Sequence, residues 1–430
     1  MSSARSDLTL LPPTPYPAAD AYTSVQMQLF QSFHARDSAT RQRLSNSLDF
    51  WDAIPKYSVN RQGGGRQRGP DAAPPSILTR HFEFRNHSFQ LEIRPARVRH
   101  PRTGAIHVAY PTLREEIVED ALRKIASQQQ CGFYCQGPGQ PRAGVRFTLH
   151  ALRKYLREQG HTMDHYQVKE SLLILADCHI EVVTIDGPLR KQINASIIRT
   201  LILSGRADLE QDPSCLCYAD FHPLITDAID AIQYRQFDLS AVLQHRKPLA
   251  RWLHKYFIRA ALNASPLHPI KLSTTFVKNA SGLLGSARWR DDVRALRAAL
   301  AELIDNHVLV AAHACPEPGG AADADLRWLL TPSASLVADI IAANQRCQHH
   351  RSLAATPAPG PGAASPDRTT HRTRGAGVLS LPRAPGEASP RRPERPAPRP
   401  TPPAGAPAPT APGRSEEHTS ELQSPDCMSY

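Results

Sequence analysis

No run of about twenty apolar residues occurs in this chain, and its N-terminus lacks a charged stretch followed by an apolar core; neither a membrane-spanning helix nor a secretory leader is expected. The eight cysteines form no pair of CxxC knuckles and no Cys/His spacing suited to zinc. Scattered thiols in a chain of this length fit a reducing cytosol, so a soluble cytoplasmic protein without metal or cofactor is expected. Enzyme signatures are missing as well. "GPGQPRAGVR" has glycines but not the Lys-Ser/Thr pair that holds nucleotide phosphates and magnesium, and HExxH and GxSxG do not occur. No His-apolar-His pair accompanies a tyrosine that could nick DNA. No catalytic residue is therefore assigned, and the chain is expected not to be an enzyme.

Acidic residues are outnumbered: 40 Asp and Glu stand against 51 Lys and Arg in 430 residues, a formal charge of +11. Arg351 to Arg414 carries ten Arg against three acids, but the sixteen residues after it carry four acids and no Lys or Arg, so the part before Arg351 is itself basic. Such a balance suits a polyanionic partner, although solvated basic faces are common.

Composition divides the chain into residues 1–76, an N-terminal arm and linker; 77–240, a first domain; 241–345, a second; 346–413, a Pro/Ala/Arg-rich tail; and 414–430. The linker is "NRQGGGRQRGPDAAPP" at Asn60–Pro75. "ILTRHFEFRNHSFQLEIRPARV" alternates like an antiparallel strand pair turning near Arg85-Asn86-His87. The tail has too few large apolar residues to offset the entropy of ordering, and reads either as natural disordered sequence or as out-of-frame translation of GC-rich DNA. "RSEEHTSELQS" at Arg414–Ser424 matches the translation of a short-read sequencing adapter, so Arg414–Tyr430 is excluded from functional reasoning.

An internal repeat organises the middle of the chain. "ALRKIA" at Ala121 resembles "WLHKYF" at Trp252, a shift of 131, and "VRFTLHAL" at Val145 resembles "IKLSTTFV" at Ile270, a shift of 125. A third block, at a shift of 128, sets Asp164, Val168, Leu172, Leu175, His179 and Val182 against Asp292, Leu296, Leu300, Leu303, His307 and Val310. In the first copy Thr112 and Glu115 form a capping box, and Leu113, Ile117, Ala121 and Leu122 make an apolar stripe. Thr148 and Ser273 stand where N-caps are wanted, Gly160 ends a helix, and Asp164 caps the next. Both third helices run into β-rich segments, "HIEVVT" and "HVLVAA", with return strands in "INASIIRTLIL" and "LRWLL". Helix, strand, helix, helix, strand, wing, strand is the order of a winged helix. The expected class is α+β: two tandem winged-helix domains between a flexible N-terminal arm and a disordered C-terminal tail.

The third helix of a winged helix needs a buried face to hold it and outward donors that reach base edges and phosphates. "SARWRDDVRALRAAL" offers both: Arg290, Arg294 and Arg297 flank the Trp289/Leu296 stripe, and Arg288 sits at its start. The plain alternative is a solvated face with i,i+4 pairing. Thr274, Thr275 and Lys278 on the preceding helix are expected as phosphate or base neighbours. The first copy offers His165, Gln167 and Lys169 on its third helix, and Arg190 and Lys191 at the hairpin tip "DGPLRK". The second tip, "CPEPGGAADAD", is acidic and should stay off DNA. His179 and His307, at helix-to-strand junctions, read as structural.

"LDFWDAIPKYSV", "YPTLREEIVEDALRKIA", "VRFTLHALRKYLREQGHTMDHYQVKESLLILADCHIEV", "FHPLI", "KPLARWLHKYF" and "WRDDVRALRAALAELIDNHVL", in that order over roughly residues 40 to 340, resemble plasmid replication initiators of the tandem winged-helix, RepA/TrfA-like kind. The resemblance implies binding to repeated origin sites (iterons), with the second domain reading one part of the repeat through Arg288, Arg290, Arg294 and Arg297. It implies that the first domain contacts another part and takes part in dimerisation. Partners implied are double-stranded origin DNA, a host replication initiator and the replicative helicase; monomers would open the origin and dimers would repress or lie inactive. A winged-helix transcriptional regulator without a replication role is the alternative.

Overall fold

The computed structural model describes residues 25–32, 37–58, 77–100, 103–128, 130–136, 141–186, 192–204, 216–261, 263, 265, 267–316 and 325–355, all within one compact unit ending at Pro357. Residues 187–191 and 317–324 of the two hairpin tips, and the tail from residue 356 on with the 414–430 segment, lie outside them.

The N-terminal segment departs from expectation. Helices α1 (Val25–Phe30) and α2 (Ser38–Arg43) lead into strand β1 (Leu44–Leu48) and a 3-10 turn at Trp51–Ala53. Met27, Phe30, Leu48 and Trp51 are fully buried, so residues 25–32 and 44–58 contribute to the core, where an arm was expected. Their polar neighbours obscured this in the sequence, because they are satisfied only at long range. Asn46 donates to the Phe30 carbonyl at 3.0 Å, and the Trp51 indole N–H donates to Glu119 at 2.5 Å.

Strands β2 (Leu78–Phe84) and β3 (His87–Arg94) form the hairpin expected from the alternating pattern, with Phe84 opposite His87. Arg85 and Asn86 both take left-handed φ, +50° and +61°, as a tight two-residue turn between right-twisting strands requires. A second, shorter hairpin follows, β4 (Ala96–Arg99) with β5 (Ile106–Ala109).

In the first copy α3 (Leu113–Ala126) starts in the Thr112/Glu115 capping box, and Ile117, Ala121 and Leu122 are buried. Strands β6 (Gly132–Gln136) and β7 (Pro141–Phe147) precede α4 (Leu149–Glu158), whose N-cap is Thr148. Gly160, at φ +82°, turns the chain, and Asp164 caps α5 (His165–Asp177). Val168, Leu172 and Leu175 on α5 are fully buried, each contributing about 1.5 to 3 kcal/mol. Strands β8 (His179–Thr184) and β9 (Gln192–Ser196) form the wing hairpin, and β3 pairs along β8, giving a sheet in the order β2-β3-β8-β9. Strand β10 (Ile198–Ile202) pairs with β11 (Cys217–Phe221), which lies between it and β7. The first copy thus keeps the helices of a winged helix, but β11 separates β7 from the return strand.

Next come α6 (Pro223–Asp230), β12 (Tyr234–Asp238), which pairs antiparallel with β1, and the short α7 (Leu239–Leu243). In the second copy α8 (Pro248–Ala260), β13 (Ile270–Ser273), α9 (Thr274–Ser281), α10 (Trp289–Asp305), β14 (Leu309–Pro316) and β15 (Leu326–Pro332) follow in order. Their sheet, β13-β15-β14, is antiparallel throughout, which is the winged-helix pairing. Leu253, Phe257, Leu296, Leu300, Leu303, Trp328 and Leu330 form its core.

Three features fix the two copies to each other. Lys255 on α8 donates to Glu116 at 3.1 Å and to Asp120, both on α3, while Arg123 of α3 holds Asp120 at 2.6 Å and Asp52 at 2.9 Å. Helix α11 (Ala334–Ala355) buries Leu336 and Ile340 in the second core and Ala343 in the first, and Arg346 donates to the Gln236 carbonyl at 2.7 Å. Finally, the α7–α8 link is pinned to the end of α10. Glu302 accepts from the backbone N–H of Lys247 at 3.0 Å, and the Asn306 amide meets His245 Nδ1 at 2.8 Å.

His245 Nε2 in turn lies 2.9 Å from Nδ1 of buried His254. If the Asn306 amide donates to Nδ1, the other ring nitrogen of His245 donates onward, a chain that works with both rings neutral. Burial, reinforced by His245, lowers His254 to about 3.

Trp51→Ala should cost about 3–5 kcal/mol, read as a lower denaturant midpoint; an unchanged midpoint would remove the N-terminal segment from the core. Because His254 is held neutral, its contribution is complete above the ordinary histidine value of 6.5 and is lost as pH falls towards about 3. His254→Gln should make the loss of unfolding free energy across that window shallower, by up to about 1.4 kcal/mol per pH unit. Denaturant titrations at pH 6.5, 5.5 and 4.5 test this, and parallel pH curves for the two proteins would exclude it.

Candidate nucleic-acid interface

Helix α10 is built to present cations. Asp291 and Asp292 sit in its first turn, where the helix dipole favours negative charge. Asp292 is fully buried and accepts from the Ser286 N–H at 3.0 Å and from Lys278 Nζ at 2.7 Å. Leu296, Ala299, Leu300 and Leu303 bury the opposite length of the helix. At about 100° per residue, Arg290, Arg294 and Arg297 fall within an arc of about 60° that faces away from that stripe. All three are exposed, as is Arg288 at the N-cap.

Arg294 is 79% exposed and paired with Asp291 at 2.6 Å; such a surface pair contributes well under 1 kcal/mol and exchanges readily for a phosphate. Arg288, Arg290 and Arg297 have no carboxylate within ion-pair distance among the described residues. Three guanidinium groups on one side of a helix held at both ends can form forked hydrogen bonds with guanine edges or neutralise phosphates.

The neighbouring helix needs correction. Thr274 is fully buried, its hydroxyl accepting from the Trp328 indole at 2.9 Å and lying 3.3 Å from the Leu326 carbonyl, so it joins α9 to the sheet and cannot face DNA. Lys278 is half-buried, and its charge is committed to Asp292; it orients the start of α10. Thr275 is exposed, though its backbone N–H bonds to Asp325 at 3.1 Å, which places a carboxylate beside it. Gly282, at φ +64°, ends α9 where the Arg80 guanidinium comes so close that a Cβ would meet it at 2.3 Å.

In the first copy His165 is exposed at the start of α5, and Lys169 is partly exposed. Gln167 is exposed, but its carbonyl accepts from the Asp164 N–H at 2.9 Å as part of the helix cap. Arg190 and Lys191, and residues 317–324 of the acidic second tip, lie outside the described residues. The structure therefore gathers Arg290, Arg294 and Arg297 on one face of α10 and leaves α5 with one outward cation.

The seam was missed by sequence reasoning. Buried Asp52 is held well below the usual carboxylate range: burial alone would raise it, but Arg123, Lys56 and Lys255 outweigh that. Lys255 is raised, because Asp120 and Glu116 outweigh its own burial. Lys255 lies about 160–200° around α8 from Leu253 and Phe257, on the side where a lysine reads as solvated, so nothing local marked it as buried. Among the described residues no group of three or more His, Cys, Asp or Glu is placed to hold a metal, and no helix is long and apolar enough to cross a membrane.

No family model matches the chain, and no curated protein matches it. Among solved structures it is similar to the crystal structure of RctB domains 2-3, at 11% identity and a TM-score of 0.41, over 68% of this chain and 99% of that one. It is similar also to a selenomethionine derivative of domains 2 and 3 of RctB, at 11% identity and a TM-score of 0.40, over 66% of this chain and 98% of that one.

Proposed function

We propose that this protein binds duplex DNA sequence-specifically and acts, without enzymatic activity of its own, in initiating replication at repeated sites of a plasmid origin. The observation that carries the DNA-binding part is the outward row Arg290, Arg294 and Arg297 on α10, opposite its buried stripe and attached to a helix fixed at both ends. Arg288, exposed at the N-cap of α10, and Thr275, exposed on α9, are further candidate contacts. The basic balance of the chain supports a polyanionic partner. The initiator part, with iteron sites, origin opening, and contacts to a host initiator and the replicative helicase, rests on the resemblance of the sequence blocks.

Selection of duplexes from a random pool gives the test. Arg297→Ala should weaken binding to the enriched sequence about 5- to 150-fold while changing random-duplex binding far less, since a base contact is worth roughly 1 to 3 kcal/mol of discrimination. Equal losses on both would reduce Arg297 to a phosphate contact, and failure to enrich any sequence would overturn specific binding. For the initiator part, a minimal plasmid bearing the enriched repeats should replicate only when this gene is supplied.

A further inference from the structure

The helix α5 has little with which to hold a polyanion, yet the element beside it does. Hairpin β4–β5 packs along α5, with Ala96 and Val98 buried against the first core. Strand alternation then turns Arg97 and Arg99 to the opposite face, and both are exposed. The hairpin is tied down by the acids of α5 themselves. Asp177 accepts from the Arg97 backbone N–H at 2.6 Å, and Glu170 meets His107 at 3.1 Å and Arg114 at 2.7 Å. These tethers lie seven residues apart, about 10 Å along the helix, so the hairpin advances from the end of α5 towards its exposed first turn.

The carboxylates of α5 are thus used on the hairpin's backbone, His107 and Arg114, and none reaches the two outward guanidinium groups. Arg99 donates only to the Gly104 carbonyl within its own hairpin, at 3.3 Å, and no carboxylate lies within ion-pair distance of Arg97 or Arg99 among the described residues. From Ile93 to Arg114 the sequence contains no acid. Two unneutralised guanidinium groups two residues apart on a strand, about 7 Å, form a rigid cationic edge beside the third helix of the first copy.

We infer that hairpin β4–β5 is the phosphate-contacting element of the first copy, with Arg97 and Arg99 neutralising the DNA backbone alongside the segment that α5 faces. This inference rests on the duplex-DNA reading above. A β-ribbon edge with guanidinium side chains but no amide or carboxylate partner for bases fixes position on DNA and reads no sequence.

The test is the salt dependence of duplex binding by the full chain. Arg97→Ala with Arg99→Ala should lower the slope of log K against log salt by about 2, since each phosphate neutralised contributes roughly 0.9, and should weaken enriched and random duplexes by the same factor. Arg97→Lys with Arg99→Lys should restore the slope, because a phosphate needs only a point charge. An unchanged slope in the alanine variant, or no restoration by lysine, overturns the inference. If Arg290→Ala with Arg297→Ala weakens binding while the hairpin variants do not, this inference alone fails; a wild-type chain that binds no duplex defeats the underlying reading as well.

Discussion

Relative placement of the two helical repeats depends on a chain of buried charges, Lys255 with Glu116 and Asp120, then Arg123 with Asp120 and Asp52. Attraction between such groups is offset by the cost of taking them out of water, so the net gain over a purely apolar seam is small. What the chain imposes is specificity. A rotation of α8 against α3 would leave a carboxylate or an ammonium buried and alone, at several kcal/mol, whereas sliding one leucine past another costs far less. Trp51 and Tyr57, both bonded to Glu119, attach the N-terminal segment to the same network.

The helices were largely legible because their signals are local. Capping at Thr112, Thr148, Asp164 and Ser273, the left-handed turn at Gly160, and the spacing of Val168, Leu172 and Leu175 each involve residues within one or two turns. The β2–β3 hairpin was legible for the same reason. Strand partners were not. That β11 lies between β7 and β10, or that β1 pairs with β12 some 190 residues later, follows from long-range packing that no short window records. The N-terminal segment was not read as core on these grounds: Asn46 looks solvated until the Phe30 carbonyl accepts from it and β12 pairs along β1.

The proposed DNA-contacting residues divide in the same way. Helical periodicity placed Arg290, Arg294 and Arg297 together, and the structure keeps them exposed. Thr274 could not be judged from sequence, because the indole it accepts from, Trp328, comes 54 residues later and across a sheet. Lys278 was read as a phosphate or base neighbour, but a buried carboxylate, Asp292, claims it. Arg97 and Arg99 were passed over because they precede the recurring blocks, and their place beside α5 depends on Asp177 and Glu170.

Helix α11 bears on how the proposed DNA ligand would be held. Since one continuous helix enters both cores, the angle between the α10 arginine row and the β4–β5 hairpin, the two proposed contact surfaces, cannot adapt by hinge motion at that point. On the proposed DNA-binding reading, the protein would act as a ruler, with misfit absorbed by the duplex. Adding one base pair between the two contacted segments would rotate them by about 35° relative to each other, and the energy of twisting the DNA back becomes a source of discrimination at positions that no side chain touches.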